Sequence, residues 1–436
     1  MARATNAHEV SKMRRGSSRR DVLKLAGAAT VAGLASSRPA FSQAAGHVVV
    51  VGGGFGGATA AKYLRRAGVD VTLVEKNTTF ATCPFSNTVL GGMNEIDDIT
   101  HGYDGLRAHG VRVVHDTVSR INALSKSVSL LSGTAVSYDR LVLAPGIDLK
   151  WNEIEGYDEA AAEIMPHAWK AGAQTELLRR QLISMDDGGV VAIAPPTNPF
   201  RCPPGPYERA SLIAHYLKTN KPTSKVLILD AKDSFSKKGL FQAGWAELYG
   251  DMIEWVPFSE GGHVIRVDPS TMTIYTDFDE HKVDVANIIP SQRSNRLVDS
   301  ANLTDGGDWC PIKQLTFESS VHPGVHVLGD ASIAGSMPKS GFSANAQAKV
   351  CAAAIAALLH GEEAPSPSFI NTCYSLVGPD YGISVAAVYR LNEDGAISGV
   401  KGAGGVSPGD ASAEFRKLEA DYARGWYASI TADMFG

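Results

Sequence analysis

The sequence predicts an α/β protein: two doubly wound, nucleotide-binding-type domains, the second of them degenerate, and a small C-terminal α+β domain. Three observations carry this. A strand, a glycine-rich turn, a helix and a second strand follow one another from Gly46. A further apolar strand opens near Gly188 but lacks the glycine turn that should follow it. A strand near Val325 then leads back to the first sheet, ahead of a linker and a compact tail.

The first unit is the most informative. Residues 48–51 are four consecutive valines, as in a strand buried on both faces of a parallel sheet. Gly52, Gly54 and Gly57 follow in G-x-G-x-x-G spacing; a helix is expected over 58–67, ended by Gly68, and a strand over 69–74 that closes on Glu75. Gly52 permits the tight turn, Gly54 lets a pyrophosphate approach the backbone, and Gly57 lets the helix pack on the strand. Free N–H groups at the helix start hold phosphate, and Glu75, with Lys76 beside it, stands where an acid binds ribose hydroxyls. The alternative, an ordinary glycine-rich turn, leaves the register of strand, helix and terminal acid unexplained.

Residues 1–45 stand apart. Arg19 and Arg20 in Ser18-Arg-Arg-Asp-Val-Leu-Lys24 have the form of a twin-arginine signal, followed by a short apolar stretch over 25–34 and small residues up to Ala45. This is the layout of a signal peptide for export of an already folded protein, so a periplasmic location is expected. The other reading is a disordered basic tail. No later stretch is expected to be long enough for a transmembrane helix.

The loop over 78–92 follows the strand that ends at Glu75, and loops at the carboxyl ends of parallel strands face the ligand. Cys83 is thereby placed near a bound dinucleotide; a buried free thiol is the plainer reading. A strand over 111–115 and another over 138–143 follow, the latter ending in Ala144-Pro145-Gly146. In the second domain, 188–194 reads as a strand, but the next residues are Pro195-Pro-Thr-Asn-Pro-Phe-Arg-Cys-Pro-Pro-Gly-Pro206. Prolines lack the N–H groups of a phosphate nest, so this domain is expected to bind no NAD(P). The strand near Val325 ends in Gly329-Asp330. Ser340 then opens an alanine-rich helix running to His360, whose N-terminus suits a site of negative charge. The expected domains are 46–155 with 285–361, 156–284, and 362–436.

The chain has 436 residues, 20% of them charged, with a net charge of -5, which leaves no basic patch for nucleic acid. No C-x-x-C-H occurs, so no c-type haem is expected on this chain.

The Ala144–Gly146 segment and the Gly329-Asp330 motif resemble those of FAD-dependent disulfide oxidoreductase-like proteins. With Thr82-Cys-Pro-Phe-Ser-Asn87, Phe200-Arg-Cys-Pro-Pro-Gly-Pro-Tyr-Glu-Arg209, Thr316-Phe-Glu-Ser319 and Met337-Pro-Lys-Ser340, the chain resembles the flavoprotein subunit of flavocytochrome c sulfide dehydrogenase. Sulfide:quinone oxidoreductases are more distant relatives. The resemblance implies FAD held covalently, 8α-S-cysteinyl at Cys83, with Asp330 on the ribityl chain. Gly52, Gly54, Gly57, Glu75, Lys76, Asn87, Ala144, Gly146, Gly329, Ser340 and Trp426 are the further cofactor-binding positions. It implies a redox-active disulfide between Cys202 and Cys373, Glu208 as proton acceptor, and a c-type cytochrome subunit as partner. An exported protein can keep such a disulfide. Glu208 as a surface carboxylate, Trp426 as core packing and the bridge as merely structural are the plainer readings. Cys351 is expected to be a buried helix thiol, and Cys310 receives no role.

Two other functions stay open from sequence. One is a sulfide:quinone oxidoreductase, which needs a membrane-docking tail; Glu414, Arg416, Lys417, Glu419 and Asp421 argue against it. The other is a flavin-bearing subunit, non-catalytic or acting on another reduced sulfur compound.

Overall fold

The structure, a computed structural model, describes residues 46–436. The signal-peptide expectation lies outside them. The first sheet has seven strands in the order Ile312–Lys313, Glu318–Ser319, Val325–Val327, Arg140–Leu143, His47–Val51, Asp70–Val74, Arg112–Val114. The last five are mutually parallel. His47–Val51 sits centrally, with Val48, Val49 and Val50 fully buried, because both of its neighbours are strands and both faces are covered.

The helix Phe55–Arg66 packs against Gly341–Leu359, and both bury small residues, Ala58, Ala60 and Ala61 on one and Ala344, Ala348 and Ala352 on the other. Asn345 donates to Thr59 Oγ1 at 2.9 Å between them. Gly341–Leu359 corrects one expectation. It has 19 residues at a mean hydropathy of 1.4, long and apolar enough to cross a membrane by length and composition. Half of it is buried inside the protein, as a core helix would be.

The second sheet is fully parallel, in the order Ile253–Val256, Lys225–Leu229, Val190–Ala194, Val285–Ile288. Val285–Ile288 thus pairs with Val190–Ala194, not with the first sheet; the return to the first sheet begins after it. The helix after Val190–Ala194 is Gly205–Asn220, entered through Pro204 with Pro206 in its first turn. No glycine turn precedes it.

The C-terminal part is an antiparallel sheet, Ser368–Gly378, Tyr381–Leu391 and Ile397–Val406, followed by the helix Ala413–Phe435. This helix returns to the first one. Lys62 Nζ donates to the Gly436 carbonyl at 2.5 Å, and Asp433 accepts from Tyr63 Oη at 2.8 Å and from Asn345 Nδ2 at 2.9 Å.

Candidate functional site

Stretches far apart in the chain meet on one cavity of about 410 Å³. At one end lies the glycine turn. Gly52 has φ +95°, and a Cβ there would lie 2.4 Å from the Ala144 carbonyl oxygen. A Cβ on Gly57 would lie 1.7 Å from the Gly52 carbonyl oxygen. Gly57 is therefore a packing residue behind the cavity, whereas Gly54 lines it and a Cβ there would meet only the Phe80 ring edge, at 3.1 Å. The Glu75 carboxylate accepts from the amides of Gly53 at 2.7 Å and Asn77 at 2.9 Å, which fixes it at the end of its strand. Lys76 lines the cavity next to it, and Ala144 and Gly146 line it from the neighbouring strand end.

The next wall carries buried polar atoms without partners. Asp330 Oδ1 and Trp426 Nε1 both lack a hydrogen bond, and both residues line the cavity. Leaving such a group unpaired costs about 1–3 kcal/mol, so both fit a ligand that supplies the partner. Burial pushes the Asp330 carboxyl up, and Arg201 and Lys339 oppose it; Arg201 Nη1 lies 3.9 Å from Asp330 Oδ2. Gly329, at φ +69°, donates its amide to Gln347 Oε1 at 2.9 Å. Ser340 caps the helix Gly341–Leu359 by accepting from the Ser343 amide at 3.0 Å, so that helix opens onto the cavity. Trp426 stacks on Phe342, with centroids 6.1 Å apart and planes 5° from parallel.

Cys83, Cys202 and Cys373 line the same space. Cys83 Sγ lies 3.3 Å from the Trp169 carbonyl oxygen, which the Arg201 guanidinium also takes. Cys202 is held in the left-handed region, φ +58°, with its amide on the Lys339 carbonyl at 2.8 Å and its carbonyl on the Gly205 amide at 2.8 Å. Burial pushes its thiol up, and the neighbouring Cys373, Cys83 and Glu208 add to that. Cys373 comes from the strand Ser368–Gly378, with its sulfur 3.5 Å from Asn371 Nδ2. All five cysteines are free. Cys202 and Cys373, the pair that the resemblance implies, are not bonded to each other in this structure, and the Cys373 sulfur rests on Asn371. Cys351 is buried in its helix, and Cys310 is buried beside Ser294.

Glu208 stands in the first turn of Gly205–Asn220. Its Oε1 accepts from the Leu376 amide at 2.8 Å and its Oε2 from Asn87 Nδ2 at 2.9 Å. Burial pushes its carboxyl up, against those two hydrogen bonds. It lines the cavity, but Asn87 does not: Asn87 joins Glu208 to Arg209, whose Nε donates to Asn87 Oδ1 at 3.0 Å. Arg209 is 1% exposed and also donates to Asn287 Oδ1 at 2.8 Å and the Ala168 carbonyl at 2.7 Å.

Comparison with known proteins agrees with this geometry. Residues 175–290 match the family model for the central part of the sulfide dehydrogenase [flavocytochrome c] flavoprotein chain. Residues 365–435 match the flavin-binding part of flavocytochrome c sulphide dehydrogenase, and 46–184 the pyridine nucleotide-disulphide oxidoreductase model. A flavoprotein chain of that sulfide dehydrogenase from Chlorobaculum thiosulfatiphilum is 68% identical over 44 residues, 10% of this chain and 92% of the relative. The chain belongs to the flavocytochrome c sulfide dehydrogenase flavoprotein family. The mitochondrial sulfide:quinone oxidoreductase of Mus musculus is 22% identical over 295 residues, 65% of each chain. The solved sulfide:quinone oxidoreductase of Aquifex aeolicus superposes with a TM-score of 0.68 at 17% identity, covering 89% of this chain and 92% of that one, a likeness of fold.

In this family member, sequence reasoning passed over three cations of the site. Arg201 and Arg209 lie inside the quoted string from Phe200 to Arg209, so their signal was in view. Lys237 lies in an unremarkable loop, and only the fold brings it to the site.

Proposed function

We propose that this flavoprotein oxidises sulfide outside the cytoplasm. Electrons pass through Cys202, Cys373 and a covalently held FAD to a c-type cytochrome subunit. The observation that carries the reading is the convergence of both thiols, Glu208 and the glycine turn on one cavity. The names of the relatives supply sulfide and the cytochrome; an oxidising compartment would keep the cysteine pair bonded.

With the pair oxidised, hydrosulfide attacks one cysteine sulfur. A bond forms between the two sulfurs, the Cys202–Cys373 bond breaks, and the other cysteine leaves as thiolate. The pair is reduced by the two electrons that the substrate sulfur gives up. Glu208, its carboxyl raised by burial, takes the proton that hydrogen sulfide gives up in becoming the attacking hydrosulfide. Bound FAD supplies an acceptor of two electrons that can be re-oxidised one at a time. The glycine turn, Glu75, Asp330 and Ser340 would hold that group, and Cys83 would be its covalent anchor.

Anaerobic mixing of the purified protein with sulfide tests the reading. Flavin absorbance is expected to bleach with sulfide and with dithionite. Cys202→Ser and Cys373→Ser should keep the dithionite response and lose most of the sulfide response. If both variants keep full sulfide turnover, the pair has no part in the reaction. On acid denaturation the yellow colour should stay with the polypeptide, and Cys83→Ala should fold but release it; colour in the wild-type supernatant refutes the anchor. A quinone acceptor is the second reading, favoured by Phe415, Leu418 and Tyr422, which are 39%, 42% and 53% exposed along one stretch of the last helix. Turnover with a soluble quinone but not with cytochrome c would select it.

A further inference from the structure

Lys237 precedes the helix Lys238–Tyr249 with φ +65°, a left-handed conformation uncommon for a lysine. Its side chain crosses from the second sheet's side to the C-terminal hairpin. Nζ donates to the Cys373 carbonyl at 3.0 Å and to Ser375 Oγ at 2.9 Å, with the Ile383 carbonyl on the paired strand at 3.5 Å. The residue is 8% exposed.

Every one of these acceptors is neutral. The nearest acids are occupied elsewhere: Glu208 by the Leu376 amide and Asn87, Glu419 by Ser384 at 2.7 Å, Ser407 at 2.5 Å and Arg416 at 3.4 Å. A buried ammonium without a bonded counter-ion is costly unless an anion appears beside it. Burial draws Lys237 down to about 8, while Cys373, Glu208, Cys202 and Glu419 hold it up. These four are the titratable groups whose charge acts on it most.

We propose that Lys237 is a positioning residue for the cysteine pair: it pins the strand that carries Cys373 and supplies the positive charge that faces a thiolate formed there. The inference rests on the sulfide reading for its purpose. Before the pair opens, the disulfide is neutral and the negative charge belongs to hydrosulfide. After attack, the persulfide is neutral in its protonated form and one cysteine carries the charge, inside the protein. A fixed cation behind Cys373 lowers the cost of that transfer.

The test uses the flavin-loaded protein with the pair reduced. Iodoacetamide labelling across pH, located by mass spectrometry, reports the thiolate fraction at Cys373 and Cys202 separately. Lys237→Met should raise the labelling midpoint of Cys373 by about one pH unit, a tenfold loss of thiolate at fixed pH. Lys237→Arg should restore most of it. Sulfide bleaching should slow about tenfold in Lys237→Met, with dithionite bleaching unchanged. An unshifted Cys373 midpoint in a Lys237→Met protein of normal flavin content overturns the proposal. If that variant does not fold, Lys237→Gln takes its place in the same labelling, and an unshifted Cys373 midpoint there overturns the proposal. The labelling needs neither sulfide nor an electron acceptor. Its failure is therefore separable from failure of the sulfide reading, which the Cys202→Ser variant decides.

Discussion

Two alanine substitutions in the same six-residue motif should have opposite consequences. At Gly57 the added Cβ would sit 1.7 Å from the Gly52 carbonyl oxygen, whereas real Cβ contacts stay beyond 3.0 Å. The first helix and the turn must part by more than an ångström, and both sides of the contact are backbone, which cannot rotate away. Overpacking costs about 1–3 kcal/mol when side chains can yield, so Gly57→Ala belongs at or above about 3 kcal/mol. At Gly54 the neighbour is the Phe80 ring at 3.1 Å, which needs to give by only a few tenths of an ångström. Gly54→Ala should cost under about 1 kcal/mol in the fold. It should instead obstruct the approach of a pyrophosphate and lower flavin content tenfold or more. Thermal unfolding and the flavin-to-protein absorbance ratio separate the two. Gly57→Ala should melt about 6 °C or more below wild type, taking about 2 °C per kcal/mol for a chain of this size. Gly54→Ala should melt near the flavin-free wild type. The reasoning is refuted if Gly57→Ala melts within about 2 °C of wild type, or if Gly54→Ala retains its full flavin.

Three further outcomes are expected. Glu208 has a carboxyl raised by burial in the folded state, so the folded protein binds the proton more tightly and that stability is lost as pH rises above the ordinary carboxylate range; Glu208→Gln should gain in melting temperature relative to wild type as pH rises, and a constant gap would contradict the burial effect. His326 is fully buried and drawn down to about 4, with its Nδ1 on the Thr316 carbonyl at 2.9 Å and Arg140 at 3.1 Å from Nε2. There the unfolded chain takes the proton first, so up to about 3 kcal/mol of stability should be lost as pH falls from about 6.5 to 4, and His326→Gln should flatten that slope in denaturant titrations. NADH and NADPH should not bleach the flavin at any useful rate, because the prolines of the second domain offer no phosphate nest; rapid bleaching by either in a stopped-flow trace would overturn that account.

The first sheet was legible because its signals are local: four valines, three glycines at fixed spacing and a terminal acid describe one continuous unit. The degenerate second domain was legible through what replaces its glycine turn. The strand Val285–Ile288 was assigned to the wrong sheet, since a short apolar run carries no mark of which parallel neighbour it joins. The site followed the same rule. Cys83, Cys202 and Asp330 sit in distinctive strings, and all three reach the cavity. Asn87 sits in one of those strings too, yet it turns away to hold Glu208 and Arg209, because a motif records that a residue is needed and not which neighbour needs it. Lys237 was illegible, since its partners lie on strands well over a hundred residues further along. The bulk of Gly341–Leu359 misled in the other direction: a run of alanines scores as modestly apolar by eye, but over 19 residues it meets the length and hydropathy of a membrane span.

The return of the last helix to the first has a consequence for the order of synthesis. The glycine turn leaves the ribosome early, yet the Phe55–Arg66 helix is held by Asp433 and by the Gly436 carbonyl, hundreds of residues downstream. Trp426 belongs to that same last helix. Domains that fold during translation do so from the N-terminal side, but here the glycine turn's helix is clasped by residues of the helix Ala413–Phe435, far downstream. A nascent chain would therefore present an open groove until the helix Ala413–Phe435 has emerged, and secure retention of a dinucleotide waits for that helix.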